Sequence, residues 1–501
     1  MIKVKKNLGI IVLCFVISFV VLVLTSKCSF LYPFNDWVDA NAFFTVGKGI
    51  FKGVVPYLDV FEQKGLILYF LYGFASLISY KSFIGVFIFE VISFTVFLYY
   101  LAKIIKLFLD EKYCYIILPI MGTMITTSEA FVHGGSCEEF CLPLITITLY
   151  YYICHFKVKN LSYKELFING IFAGLIFMMK YTLLGFSFGF MAFIFFDYVF
   201  NKKDVKRAFI SCLYFLLGMF IPVLICLIYL GFNGAIKAYI DDYFVINITA
   251  YGTEKMNIFV KFYRLIRGFA SALFSNGMIF VLYLLIPLAL WKFKISKYFS
   301  ITLFINIAFM AFGIFWGLHF YSYYVLPMLI YGILGLIIIF KFVSNLLDKH
   351  KKVFVSMACS VCLICGILTY VLANYRYMLF MSKDEMFQYN FAKYIEQYDN
   401  PTLLNMGYLD AGLYTTTGIV PNTKFFEVQN IDYKRFPDNL DSMKDNVKNK
   451  DVMFILYYGP NNIDFVMENE SYIFDNYHLV LSEPVYSEYE NRNAYLFMIN
   501  D

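Results

Sequence analysis

The stretch from Lys27 to Lys64 holds Asp36, Asp39, Lys48, Lys52, Asp59, Glu62 and Lys64, punctuated by Gly47, Gly49, Gly53 and Pro56, and it lies between two apolar runs. Charge held beside a bilayer marks function more often than it does in a soluble loop. A carboxylate here can take the proton of an attacking hydroxyl. A lysine can stabilise a departing anionic phosphate. Asp39 is the candidate base, with Asp36 one helical turn earlier as the weaker choice, and Lys64 is the candidate phosphate ligand. The competing reading is a solvated loop whose acids cap helices.

Three further places carry chemistry. His133-Gly134-Gly135-Ser136-Cys137-Glu138-Glu139 puts two adjacent carboxylates at the start of an apolar run with no cation nearby in sequence. Either they bind something positive, or Ser136 caps a helix with Glu138 and Glu139 on its dipole. Lys180 follows the apolar run Gly170–Met179, where it can snorkel to water or hold a phosphate. His319-Phe320-Tyr321-Ser322-Tyr323-Tyr324 opens another apolar run, and an interfacial aromatic belt accounts for its tyrosines. Asp59, Glu62, Glu138, Glu139, His319 and Tyr324 are therefore candidates for substrate binding. His133, Cys137 and Cys141 stand four apart, but Gly134-Gly135 breaks the helix a metal trio would need. Cys359, Cys362 and Cys365 recur every three residues in a lipid-embedded pattern and are read as packing. No metal ligands are assigned, and a divalent cation is left open as the one cofactor. Walker, GxGxxG and HExxH motifs are absent from the sequence.

These residues need elements to hold them. Of the 501 residues, 60% are hydrophobic and 15% charged, too apolar for soluble domains. The sequence predicts about eleven membrane-spanning helices, at 8–26, 82–102, 113–128, 140–156, 166–179, 181–200, 208–230, 270–291, 298–315, 321–342 and 353–373. Gly65–Ile78 is apolar but short, an interfacial or half-buried helix, and Asp39–Phe51 reads as an amphipathic helix along the membrane surface. Lys3, Lys5 and Lys6, Lys103 and Lys106, Lys202 and Lys203, Lys292, Lys294 and Lys297, and Lys351 and Lys352 then fall on one side, while the loops at 134–139 and 317–324 carry no Lys or Arg. By the positive-inside rule the amino terminus is cytoplasmic and the tail is outside. Residues 1–373 carry 31 Lys and Arg against 17 Asp and Glu, and residues 374–501 carry 10 against 19. That shift sets the domain boundary: a transmembrane module 1–373 with a large first outside loop 27–81, and a soluble extracytoplasmic α/β domain 374–501. Within the tail, Met386–Tyr398 reads as helix and Thr402–Met406 and Asp451–Tyr457 as strands. An acidic tail argues against nucleic acid as a partner.

The run Asp39-x3-Phe43-x3-Gly47-Lys48-x4-Gly53-x2-Pro56-Tyr57-x-Asp59-x-Phe61-Glu62-Gln63-Lys64-Gly65 resembles bacterial membrane glycosyltransferases of the GT-C fold, in the family-39-type branch related to protein mannosyltransferases and aminoarabinose transferases. The resemblance implies that Asp39 is catalytic and that Lys64 contacts the phosphate of a lipid-linked donor. Leu66 stands where that family has a Pro after Lys-Gly. Gly134 to Glu139 is similar to the family's Gly-Gly-x-x-Glu-Glu loop, Lys180 to its lysine at the end of a span, and His319 to Pro327 to its Tyr/His-rich loop.

The resemblance implies a multi-pass enzyme of the bacterial plasma membrane, serving the cell envelope. It would move a sugar from a polyprenyl-phosphate donor to an extracytoplasmic glycan, lipid or protein acceptor. A single displacement would invert the anomeric centre, and nothing in the sequence supplies the second carboxylate that retention needs. The rival readings are a flippase or transporter of lipid-linked sugar, and a surface polysaccharide polymerase. Transporters carry charge on broken midplane helices, whereas here Glu90 is the one clear acid inside a span.

Overall fold

The computed structural model describes residues 2–251, 257–293, 297–485 and 492–500, without the side chains of residues 2–7, 278 and 297. The expected cytoplasmic lysines 3, 5, 6, 294 and 297 lie outside the described side chains. Helices lead the fold in chain order: α1 (Ile2–Thr25), α2 (Val38–Ile50), α3 (Leu66–Ile78), α4 (Ile84–Lys106), α5 (Cys114–Thr126), α6 (Cys137–Lys157), α7 (Tyr163–Phe177), α8 (Leu184–Phe196) and α9 (Val205–Phe232). A further set of helices follows between Ile236 and Val371, and four strands close the chain: β1 (Leu403–Met406), β2 (Phe454–Pro460), β3 (Tyr477–Val485) and β4 (Arg492–Ile499).

The chain is a helical, multi-pass membrane protein with a small carboxy-terminal sheet. Eight helices among the described residues are long and apolar enough to cross a bilayer: Leu8–Thr25, Ile84–Lys106, Cys137–Lys157, Tyr181–Asn201, Val205–Phe232, Tyr298–Phe315, Ser322–Leu347 and Lys351–Val371. Ile258–Ser275 and Ile279–Lys292, bent by 113°, make a ninth if they form one broken span. The segments expected to span at 113–128 and 166–179 are helical, but α5 and α7 have 13 and 15 residues. At 1.5 Å per residue they reach only about 20–23 Å, short of a ~30 Å hydrocarbon core. The lipid-facing character is plain on α9, which exposes Phe209, Leu213, Leu216, Phe220 and Ile225.

By internal packing the chain divides into two units. The first comprises residues 1–26, 87–226 and 254–376, and holds the long helices. The second comprises residues 27–86, 227–253 and 377–501. Its sheet has the order β1-β2-β4-β3, with β1 parallel to β2 and the other pairs antiparallel. The expected tail helix and both expected strands are present as Phe387–Ile395, β1 and β2; β3 and β4 are additional. Alternation did not mark β3 because it is an edge strand with a bulge between Leu479 and Leu481.

Candidate functional site

In the second unit, α2 carries Asp39 in its first turn, where the positive end of the helix dipole favours a carboxylate. The helix is where the sequence predicts it, but it is not a surface helix: residues 40–49 are all buried. One face packs on α3 with almost no side chain between. A Cβ on Gly47 would lie 2.7 Å from Gly73 N and Tyr69 O, and one on Gly73 would lie 2.6 Å from Gly47 O. The other face is polar and buried in the tail. Asn41, Thr45 and Lys48 recur at i, i+4 and i+7, the spacing of one helix face. Thr415 donates to Asn41 at 2.8 Å, Thr45 donates to Asp410 at 2.7 Å, and the Lys48 ammonium donates to the Tyr414 carbonyl. Burial pushes the Lys48 ammonium down to about 7, with Asp410 opposing. Burial lifts the Asp410 carboxyl to about 6, against its hydrogen bonds from Thr45 and the Gly412 N–H. Polar pairing thus locks α2 to the tail where apolar contacts would have left it free to slide.

Lys64 is held by its backbone. The Tyr57 hydroxyl donates to the Lys64 carbonyl at 2.8 Å, and the Lys64 N–H is shared between Glu62 Oε2 at 2.8 Å and the Tyr69 hydroxyl at 2.9 Å. Tyr69 itself donates to Glu62, and Asn247 donates to the Gln63 carbonyl at 3.0 Å. Tyr57 is buried at a φ of 71°, a conformation a bulky residue adopts only under constraint, and its ring meets Tyr239 at 5.2 Å. Three residues before Lys64, Phe61 enters the tail's own core beside Phe425 and Phe436, at 5.3 and 5.1 Å between ring centres. The Lys64 ammonium is partly exposed. It lies over the Phe43 ring at 5.4 Å and 3.9 Å from Glu62 Oε1. Phe43 is one turn beyond Asp39 on α2, so the two candidates address neighbouring positions of one helix.

The remaining acids of this stretch have structural partners. Asp59 is exposed and accepts the Val55 N–H at 2.8 Å, closing the turn around Pro56 and Tyr57. Glu62 is buried and orients Lys64. Asp36, the weaker base candidate, is paired with buried Lys27.

In the first unit, Glu138, Lys180 and Tyr324, far apart in sequence, come together. Lys180 is buried and its ammonium is bonded to Glu138, which is 1% exposed. The ammonium also sits 3.6 Å from the centre of the Tyr324 ring. Tyr324 meets Tyr321 at 5.4 Å, and His319 is stacked on Tyr321 at 6.3 Å. The snorkelling expected of Lys180 is therefore replaced by an internal ion pair. Ser136 does cap α6, accepting the Glu139 N–H at 3.1 Å. Glu139 accepts the Gly135 N–H at 2.9 Å, and Glu90 accepts the same N–H at 2.7 Å together with the Ser26 hydroxyl at 2.9 Å. Gly134, at a φ of 84°, has no room for a side chain: a Cβ would lie 2.0 Å from Ser26 Oγ.

No three His, Cys, Asp or Glu side chains gather as a metal set among the described residues. The sequence reading missed the Asn41–Thr45–Lys48 stripe with Asp410, whose helical period was visible but whose partner lies 365 residues away. It also missed Asp242, a buried carboxylate lifted to about 7 by burial and the nearby Asp241 and Glu62, against Lys424. Nothing in the local sequence distinguishes that residue.

No family model matches the sequence, and no curated protein matches it. Solved structures do. The crystal structure of ArnT from Cupriavidus metallidurans bound to undecaprenyl phosphate is similar over 98% of both chains, with a TM-score of 0.61 and 10% identity. The apo structure of the same protein is similar over 99% of this chain and 98% of its own, with a TM-score of 0.60 and 10% identity. The fold of this chain, membrane helices and carboxy-terminal sheet together, is the GT-C fold of the aminoarabinose transferase ArnT.

Proposed function

We propose that this chain is a bacterial plasma-membrane glycosyltransferase that moves a sugar from a polyprenyl-phosphate donor to an extracytoplasmic acceptor. The amino terminus is cytoplasmic, residues 1–373 form the transmembrane module, and residues 374–501 form the domain outside. The observation that carries the reading is the α2 segment: Asp39 opens the helix, and one turn later Phe43 lies under the ammonium of Lys64. The likeness in fold to ArnT, solved with undecaprenyl phosphate, supports the class of donor.

In this mechanism Asp39 accepts the proton of the acceptor hydroxyl as its oxygen attacks the anomeric carbon. The bond from that carbon to the phosphate oxygen breaks, and the polyprenyl phosphate leaves as an anion with the configuration inverted. Lys64 stabilises that anion, and Lys180 adds positive charge in its own cluster. Glu62 and Asp59 hold the Lys64 segment in place, Glu138 fixes Lys180, and Glu139, His319 and Tyr324 shape the surroundings. The test is transfer of label from a polyprenyl-phosphate sugar by purified protein in detergent. Movement of intact labelled lipid across a vesicle membrane without sugar transfer would replace this reading with a flippase.

A further inference from the structure

Lys64 is aimed by the two peptide groups on either side of its Cα, and both are anchored. The peptide before it is held at each end. The Gln63 carbonyl accepts from the Asn247 amide at 3.0 Å, and the Lys64 N–H is shared by Glu62 Oε2 at 2.8 Å and the Tyr69 hydroxyl at 2.9 Å. The peptide after it is held at the Lys64 carbonyl, which accepts from the Tyr57 hydroxyl at 2.8 Å. A peptide group is planar, so anchoring its carbonyl and its N–H sets its orientation. With both planes set, the direction in which the side chain leaves the backbone is set too. This matters for lysine, whose ammonium rides on a flexible four-carbon stem that must otherwise be ordered when an anion arrives.

Tyr57, Glu62 and Tyr69 are local to Lys64, but Asn247 stands 184 residues from Gln63. It belongs to a second segment of the same unit, α-helical over Ile236–Ile240 and Ile246–Thr249, with a π-helical turn at Asp241–Val245 between them. In an α-helix a step of four residues exceeds one full turn, so positions 239, 243 and 247 would drift round the axis. The wider π-turn winds less per residue and offsets that drift; such turns are frequent at functional sites. The three side chains accordingly work on one target. Tyr239 stacks on Tyr243 at 5.4 Å and meets the Tyr57 ring at 5.2 Å, while Asn247 takes the Gln63 carbonyl. This segment thus reaches the peptide before Lys64 directly and the peptide after it through Tyr57. The Asn247 amide also donates to the Tyr243 carbonyl of its own helix at 2.9 Å, which fixes the side chain. An asparagine serving only its own helix needs that bond alone.

We propose that Asn247 is a positioning residue for the donor site: it acts through the Gln63–Lys64 peptide to hold the Lys64 ammonium where a polyprenyl phosphate meets it. This rests on the glycosyltransferase reading and deepens it by extending the donor site to a second segment of the chain.

The experiment is a double-mutant cycle on the full chain in phosphatidylcholine nanodiscs, read by undecaprenyl phosphate binding, with thermal stability as the folding control. Asn247→Ala should weaken binding by about three- to tenfold, the usual worth of one hydrogen bond. In the Lys64→Met background the same change should alter binding by less than about twofold, because the lysine it positions is gone. Asn247→His, which keeps one ring N–H close to the lost amide, should recover part of the affinity. Asn247→Ser, whose hydroxyl can still bond its own helix but is too short to reach Gln63, should behave as the alanine variant does and carries the same cycle if that variant folds poorly. Equal losses with and without Lys64 would overturn the proposal, since Asn247 would then serve the fold at large. So would variants at position 247 that bind as the wild type does. A wild type that binds no undecaprenyl phosphate would sink the donor reading and this proposal with it, whereas wild-type binding that Asn247→Ala leaves intact would sink the proposal alone.

Discussion

Lys64 and Lys180 are the same residue type in the two units, and they are held in opposite ways. Lys64 has a pinned backbone and a head partly open to solvent: Glu62 Oε1 is 3.9 Å from its ammonium and its side chain is 20% exposed. Lys180 has a pinned head, bonded to Glu138, with 9% of its side chain exposed. A charge with a close partner in a dry setting is already spoken for, because any new anion must displace that partner. A charge beside an aromatic face and partly open to solvent can meet an anion at little cost. On the proposed mechanism, Lys64 is the direct ligand of the donor phosphate, and Lys180 acts mainly through the cluster it organises.

The largest effect should come from breaking the Lys180 pair. Lys180→Met leaves Glu138 buried without its cation, so thermal stability in detergent should drop by about 3–5 kcal/mol. The double variant Lys180→Met/Glu138→Gln should recover most of it. A single variant as stable as wild type would show that Glu138 is not desolvated, and the contrast between the lysines would vanish.

Next is Asp39→Asn, which keeps shape and removes the base. Transfer should slow by roughly 100-fold while undecaprenyl-phosphate binding persists. Full activity would move the search to other carboxylates, with Asp242 the first to examine.

Lys64→Met sharpens the comparison from the other side. Donor affinity should weaken by about 2 kcal/mol, the range of a charge-assisted contact, while stability changes little because the side chain is partly open to solvent. Lys64→Arg should restore part of the affinity. A large stability loss with unchanged affinity would make Lys64 resemble Lys180.

A smaller effect should appear in the tail's pH dependence. Asp410 titrates near 6 when folded and near 3.9 when unfolded. The folded chain therefore holds a proton that the unfolded chain has lost across that window. Its contribution to stability is full below about pH 4 and is lost as pH rises through about 6, on the order of 1 kcal/mol after local relaxation. Denaturant unfolding of Asp410→Asn against wild type at pH 4 and 7 should isolate that slope; identical slopes would place the charge elsewhere.

The smallest change is expected from Asp59→Asn. The amide still accepts the Val55 N–H at an exposed turn, so both stability and transfer should stay within about 0.5 kcal/mol of wild type. A strong loss of transfer would bring Asp59 into the chemistry.

Helix positions in this chain were legible because apolar runs declare themselves. Val38–Ile50 and Leu66–Ile78 fall within a residue or so of where periodicity puts them. Length was less legible: α5 and α7 sit in apolar sequence, but a helix ends where its backbone is better satisfied elsewhere, and hydropathy does not report that. Among site candidates, residue type pointed to Lys180 and Glu138 separately. Their pairing was invisible, since 42 residues separate them and nothing local records which cation meets which acid.

By itself the sequence determined that the chain belongs in a membrane, that an acidic carboxy-terminal region follows a cationic one, and that Asp39 and Lys64 precede a short return into apolar sequence. These are consequences of composition and spacing, which act within a few turns of chain. The tertiary structure alone decided that α2 is buried rather than surface-bound, that Phe61 belongs to the tail's core, and that Thr45 meets Asp410. It also decided that Lys180 is neutralised while Lys64 is partly open. Each depends on which distant group supplies the missing hydrogen bond or counter-charge. A buried polar side chain must find such a partner, and only the folded chain selects it.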